Sequence, residues 1–427
     1  MALNWLYSQL PELVDKGVLS AETAERIREY YGPPPAGLVR WTVMTVFGLI
    51  GCVLLGLGII LILGHNWDRL DHLTRLLISL GLLLAAQGAA ALALWRKKDS
   101  VAWREGAASF LMLAVGASIA LVGQTYHLAD DFKTFVLVWM LLSWPLVYLM
   151  DAKSVAGMYL VGITAWMASV QDLGTTKQMV WALMAVLLPY YGRLLKTDRY
   201  SHSAVVLSWM LILCFYICFH MSGEKHLWKL LYSLLFSATY FVGLLWFGDG
   251  ERNWKQPFQA VGLLGSVGMA YFLSFKMSWS NVYLSPVLAD ASREECFLAL
   301  GLALLLAGLA ILLKKRGLVR TGLNGALPVV VAGGYWLHSL NQSGMYAAAL
   351  LSFYLLGLSI SLIWQGARET RLGLLNLGMM MLAALVLLRF FDFNYSFIVR
   401  GVAFIFLGLA FLIVNWVMSR RKKGVEQ

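Results

Sequence analysis

The chain has 427 residues, of which 60% are hydrophobic and 13% charged, and a net charge of +11. A soluble domain carries about a quarter charged residues, so this composition excludes one and describes a chain that lives in a bilayer. A membrane core of roughly 30 Å needs about 20 apolar helical residues, and runs of that kind recur from residue 39 to residue 418; they do not alternate as barrel strands would.

The first forty residues mix acidic and basic side chains without an apolar core followed by small residues, so no cleavable signal peptide is expected. Leu3, Leu6, Leu10, Leu13 and Val14 recur at helical spacing. Lys16-Gly17 then reads as a stop, Ser20 as an N-cap, and Ala24, Ile27 and Tyr31 as the apolar side of a second helix. Gly32-Pro33-Pro34-Pro35 cannot continue it. Residues 1–35 are therefore expected to form a small cytoplasmic helical hairpin, as packing against the membrane loops or as a docking module.

Spans are expected near Val39 to Leu63, Leu76 to Trp95, Gly106 to Leu128 and Thr134 to Met150, forming a first four-helix membrane unit over 39–150. A multi-helix region over 155–418 follows. Its spans lie near Val155 to Val170, Met179 to Leu195, Ser203 to His220, Leu230 to Phe247, Pro257 to Phe275, Cys296 to Leu313, Val319 to Leu340, Met345 to Trp364, Leu372 to Phe391 and Phe397 to Met418. The fold expected is all-α and polytopic, with about 14 transmembrane helices by the 20-residue rule and a basic tail at 419–427. Lys276 to Glu295 is open to an interfacial piece. Pro145, Pro189 and Pro328 are placed to kink helices, and Gly262, Gly265 and Gly268 to admit close helix contacts.

Basic residues gather in every second connection, including Arg96-Lys97-Lys98, Lys314-Lys315-Arg316 and Arg420-Arg421-Lys422-Lys423. By the positive-inside rule both termini are cytoplasmic, and these runs are topology determinants that need no nucleic acid.

Two polar turns stand out on the opposite face: Gly64-His65-Asn66-Trp67-Asp68, and Gly123-Gln124-Thr125-Tyr126-His127 running on to Asp130-Asp131. With the hairpin motif Leu13-Val14-Asp15-Lys16-Gly17-Val18-Leu19-Ser20, their order resembles the bacterial family called domain of unknown function 2157, over residues of about 5–150. Beyond that, Arg400-Gly401-Val402-Ala403-Phe404 opening a helix that ends at Asn415-Trp416 is similar to the multi-helix region that often follows it. The resemblance implies a multi-pass protein of the bacterial inner membrane and brings no catalytic residues.

Function is argued from side-chain chemistry. There is no phosphate-binding Gly-x-x-x-x-Gly-Lys loop, His-Glu-x-x-His pair or Gly-x-Ser-x-Gly elbow, so no enzyme is expected and no cofactor. No Asp or Glu falls near the middle of a span, which disfavours a proton-driven transporter. Cys214 and Cys218 share a helix face and read as packing. A ligand or partner site is expected on the periplasmic turns, from His65, Asn66, Trp67, Asp68, Gln124, Tyr126, His127, Asp130 and Asp131. Histidine with carboxylate can ligate a metal or sense pH, or merely anchor at the interface, and the sequence leaves these open. The reading is a non-enzymatic binding, sensing or assembly protein in contact with the lipid bilayer and with a periplasmic or membrane partner protein. The alternative is a transporter or lipid flippase.

Overall fold

The computed structural model describes residues 10, 13–31, 70–126, 131–170, 175–223, 226–248, 255–279, 291–316, 323, 325–341, 344–368 and 372–392, with short pieces between 398 and 413. The expected first span, most of the last one, the basic tail and the Pro run lie outside the described residues. By contact density the chain divides into one unit of residues 1–81 and 121–128 and a second of residues 82–120 and 129–427.

In the first unit the hairpin turn forms as its residues demand. Gly17 adopts a left-handed φ of 69° that lets Val18 and Leu19 donate back to Leu13 O. Ser20 Oγ accepts from Thr23 N at 3.2 Å and opens α1 (Ala21–Tyr31).

Every regular element among the described residues is helical. After α1 come α2 (His72–Arg96), α3 (Val101–Thr125), α4 (Phe132–Leu149), α5 (Lys153–Ser169), α6 (Thr175–Ala185), α7 (Leu188–Asp198), α8 (His202–Met221), α9 (Trp228–Phe247) and α10 (Pro257–Leu273). A 3-10 turn (Lys276–Trp279) precedes α11 (Arg293–Lys315), α12 (Leu327–Asn341), α13 (Gly344–Arg368) and α14 (Leu372–Asp392). Seven of these, α2, α3, α4, α8, α9, α11 and α13, are long and apolar enough to cross a membrane. The protein is an all-α, multi-pass membrane protein.

The three prolines of these spans act differently. The span expected at Met179 to Leu195 is two helices, because Pro189 lacks an N–H and its ring would strike the carbonyl of Ala185, where α6 ends. Pro328 stands in the first turn of α12 and starts it rather than bending it, while Pro145 stays inside α4.

Within the second unit, hydrogen bonds between distant segments show which helix ends are level. Glu105 near the start of α3 reaches the start of α5, Arg199 Nη1 after α7 donates to Trp246 O near the end of α9, and Arg316 Nη1 after α11 donates to Leu245 O. These share one end. At the other, Lys177 Nζ of α6 donates to Met221 O at the end of α8, and Leu227 N before α9 donates to Glu295 of α11. From α3 to α11 the passes therefore run alternately up and down, with α6 and α7 together making one broken pass. The first end holds the basic connections at Arg96 to Lys98, Arg199, Lys255 and Lys314 to Arg316.

Two cores organise this unit. One gathers α2 through α8 around Tyr159, Ile163, Trp166 and Met167, with Cys214 and Cys218 buried in it. The other joins α10, α12, α13 and α14 around Trp279. Trp279 leaves the 3-10 turn and is fully buried, with Nε1 donating to Leu273 O at 2.7 Å and the ring edge-on to Tyr335 at 5.4 Å. Lys229, only 3% exposed, lies 4.9 Å above the ring and donates to Ser278 O at 2.5 Å. The carbonyl and the aromatic faces are the polar lining offered to this buried amine. Arg389 of α14 likewise donates to Ser274 O at 2.8 Å and Oγ at 2.7 Å.

Candidate functional site

α3, α4, α5 and α8 stand apart enough to leave a groove of about 820 Å³. Around it small residues are set against long or large ones. Gly157 of α5 faces Met210, Gly162 faces Met140, and Gly116 lies under the Trp139 ring, where an added Cβ would come within 2.5 Å. Trp139 Nε1 donates to Met112 O at 2.7 Å, which ties α4 to α3 across the back of the groove. Phe132, Phe135 and Trp139 continue along one wall with centroids 6.2 and 5.7 Å apart.

The walls are almost wholly carbon: Leu113, Val136, Met158, Val161, Ala165 and Val206 among them. Polar lining residues collect at one end, namely Glu105, Lys153, Ser154, His202 and Ser203. The fold places them there because α5 and α8 begin at this end, at Lys153 and His202, and Glu105 is one turn into α3. The turn from α4 to α5 is tight, with Asp151 at a positive φ of 50°, a conformation Asp tolerates better than most residues.

Glu105 does structural service. Its Oε1 accepts from Lys153 N at 2.9 Å, and Oε2 from Ser154 N at 2.8 Å and Ser154 Oγ at 2.5 Å. It thereby caps the first turn of α5, where anionic groups are favoured. Arg104 reaches Met150 O and Asp151 Oδ2, both at 3.4 Å, and frames the same end.

Of the residues expected to form a site on the opposite turns, His65, Asn66, Trp67, Asp68, His127 and Asp130 lie outside the described residues. Gln124 and Tyr126 are exposed at the end of α3, in the first unit. Asp131, in the second, is the N-cap residue of α4; its backbone carbonyl accepts from Phe135 N and its carboxylate from the Thr134 hydroxyl. Asp71 works alike before α2, accepting from Thr74 N at 3.3 Å and from the Thr74 hydroxyl, which holds its carboxyl below the ordinary range. Among the described residues, no three His, Cys, Asp or Glu side chains stand together as a metal site would require.

The groove itself was not legible in the sequence, since its lining comes from four helices spread over residues 101–210. The available signal was a glycine or alanine at Gly157, Gly162 and Ala165 on one side of a span, which reads equally as close packing.

Residues 11–156 match the model of a family described as a predicted membrane protein, DUF2157. The match takes in α3, α4 and the first turn of α5, hence much of one side of the groove and its Glu105 cap, and stops before α8. No curated protein and no solved structure matches the chain.

Proposed function

We propose that this protein is a non-enzymatic binding protein of the bacterial inner membrane that takes a lipid-like amphiphile from the bilayer into the groove between α3, α4, α5 and α8. The observation that carries the reading is the lining: carbon along the length and polar groups at one end, the distribution of an amphiphile's own surface. Ala165 stands twelve residues beyond Lys153, about 18 Å along the axis, so the groove suits a chain reaching past the middle of the bilayer. Polar lining at a single end favours holding over passage to the far side, which a flippase would need. Val161→Trp puts a large ring into the open groove from a position 53% exposed, away from the core. The variant is expected to purify and melt like wild type while retaining much less co-purified lipid after gel filtration. Equal lipid content in the two proteins would remove the groove as the binding site.

The basic end of the second unit faces the cytoplasm in this reading, with both termini on that side. Met277, 83% exposed, lies at the opposite end from Lys98. In a cysteine-free background, Met277→Cys should react with a membrane-impermeant maleimide on intact cells and Lys98→Cys should not. The reverse pattern would invert the orientation.

A further inference from the structure

The charged rim specifies the ligand further, on the premise that the groove is the binding site. Five lining residues at that end can meet a headgroup, and their commitments differ. Glu105 is taken up by the amides and hydroxyl at the start of α5, so its charge is turned into the helix end rather than into the groove. The Ser154 hydroxyl is spent on Glu105 and on Ser109 Oγ at 2.8 Å. Arg104, just behind, is directed at Asp151. What remains to face an occupant is the Lys153 ammonium, the His202 ring and the Ser203 hydroxyl. Among the described residues, the Lys153 and His202 side chains have no hydrogen-bond or ion-pair partner. An ammonium beside hydrocarbon is a costly arrangement without a counter-ion, and an ammonium with neighbouring N–H and O–H donors is the set that receives phosphate oxygens.

We infer that the occupant is an anionic lipid of the leaflet at the basic end, its phosphate received by Lys153, His202 and Ser203 and its chain laid along Met158, Val161 and Ala165. A zwitterionic lipid would bring a cation to the same rim, where Glu105 is already satisfied and Lys153 would repel it. Selection against the common zwitterionic headgroups is thus a matter of unmatched charge.

The test is native mass spectrometry of the purified full chain with an equimolar mixture of phosphatidylglycerol and phosphatidylcholine. Wild type should retain phosphatidylglycerol preferentially, by about fivefold or more, as expected for one basic group at a membrane headgroup. Lys153→Gln with His202→Gln should bring the two lipids to parity while total bound lipid stays near the wild-type level. Neither change touches the Glu105 cap, which uses main-chain amides of α5. Equal retention by wild type, or a preference that survives the double variant, overturns the anionic assignment. The groove-filling Val161→Trp protein separates the two readings. If it loses both lipids while wild type shows no preference, the groove binds lipid and only the headgroup is misassigned. If it keeps both, the groove reading falls and this inference with it.

Discussion

Trp279→Ala should be the most destabilising single change among the aromatic residues of the C-terminal core, by about 3–5 kcal/mol. The indole is fully buried and fills the space over Gly334, where an added Cβ would come within 2.8 Å of the ring. Truncation opens a cavity between α10, α12 and α13, frees Leu273 O, and strips Lys229 of the nearest face of its lining. Trp279→Phe keeps most of the packing and loses the Nε1 donor, so its cost should be about 1 kcal/mol. Thermal melts of the three proteins in one detergent give the comparison. Were Trp279→Ala to melt with wild type, the ring would not be the keystone of that core.

Gly262→Leu should be nearly as damaging, at about 3 kcal/mol, and for the opposite reason of excess volume. A Cβ there would stand 2.7 Å from Tyr240 Cα and 2.8 Å from Phe236 O, besides striking Tyr240 N. These are backbone atoms of α9, so relief requires the whole helix to move. In a bilayer, where lipid is as apolar as the partner helix, such close backbone approach is a main source of helix association. Gly268→Leu on the same helix meets nothing within 4 Å and should shift the melting temperature little. Similar losses from both substitutions would mean that added side-chain bulk anywhere on the helix, and not the α9 contact, sets the effect.

The two glycines also show where sequence reasoning ends. Gly262, Gly265 and Gly268 form one evenly spaced set and were expected to act together. Gly262 and Gly265 do sit against Phe236 and Tyr240 of α9, while Gly268 faces open space. Six residues on, a helix at 3.6 residues per turn has rotated about 120° away from the contact. Which part of the stripe is used depends on where the partner crosses, and no local pattern encodes that.

Hydropathy by itself determined that this chain crosses a membrane as helices and roughly where most of them lie, because a bilayer demands long apolar runs with their backbone bonds satisfied internally. It also determined the hairpin turn at Gly17 and Ser20, whose conformations depend on those residues alone. Pro189 announced a disturbance in its span, though only the fold shows it as a break between two helices. Only the tertiary structure decided that Glu105 caps a helix beginning 48 residues later, that the Trp279 ring turns inward onto Gly334, and that Lys153 and His202 share the rim of one groove. Each joins segments far apart in the chain, and in an apolar sequence many helix faces are nearly equivalent to lipid. The choice among them is made by shape complementarity and by a few polar groups that must find partners, which exist only once the helices have packed.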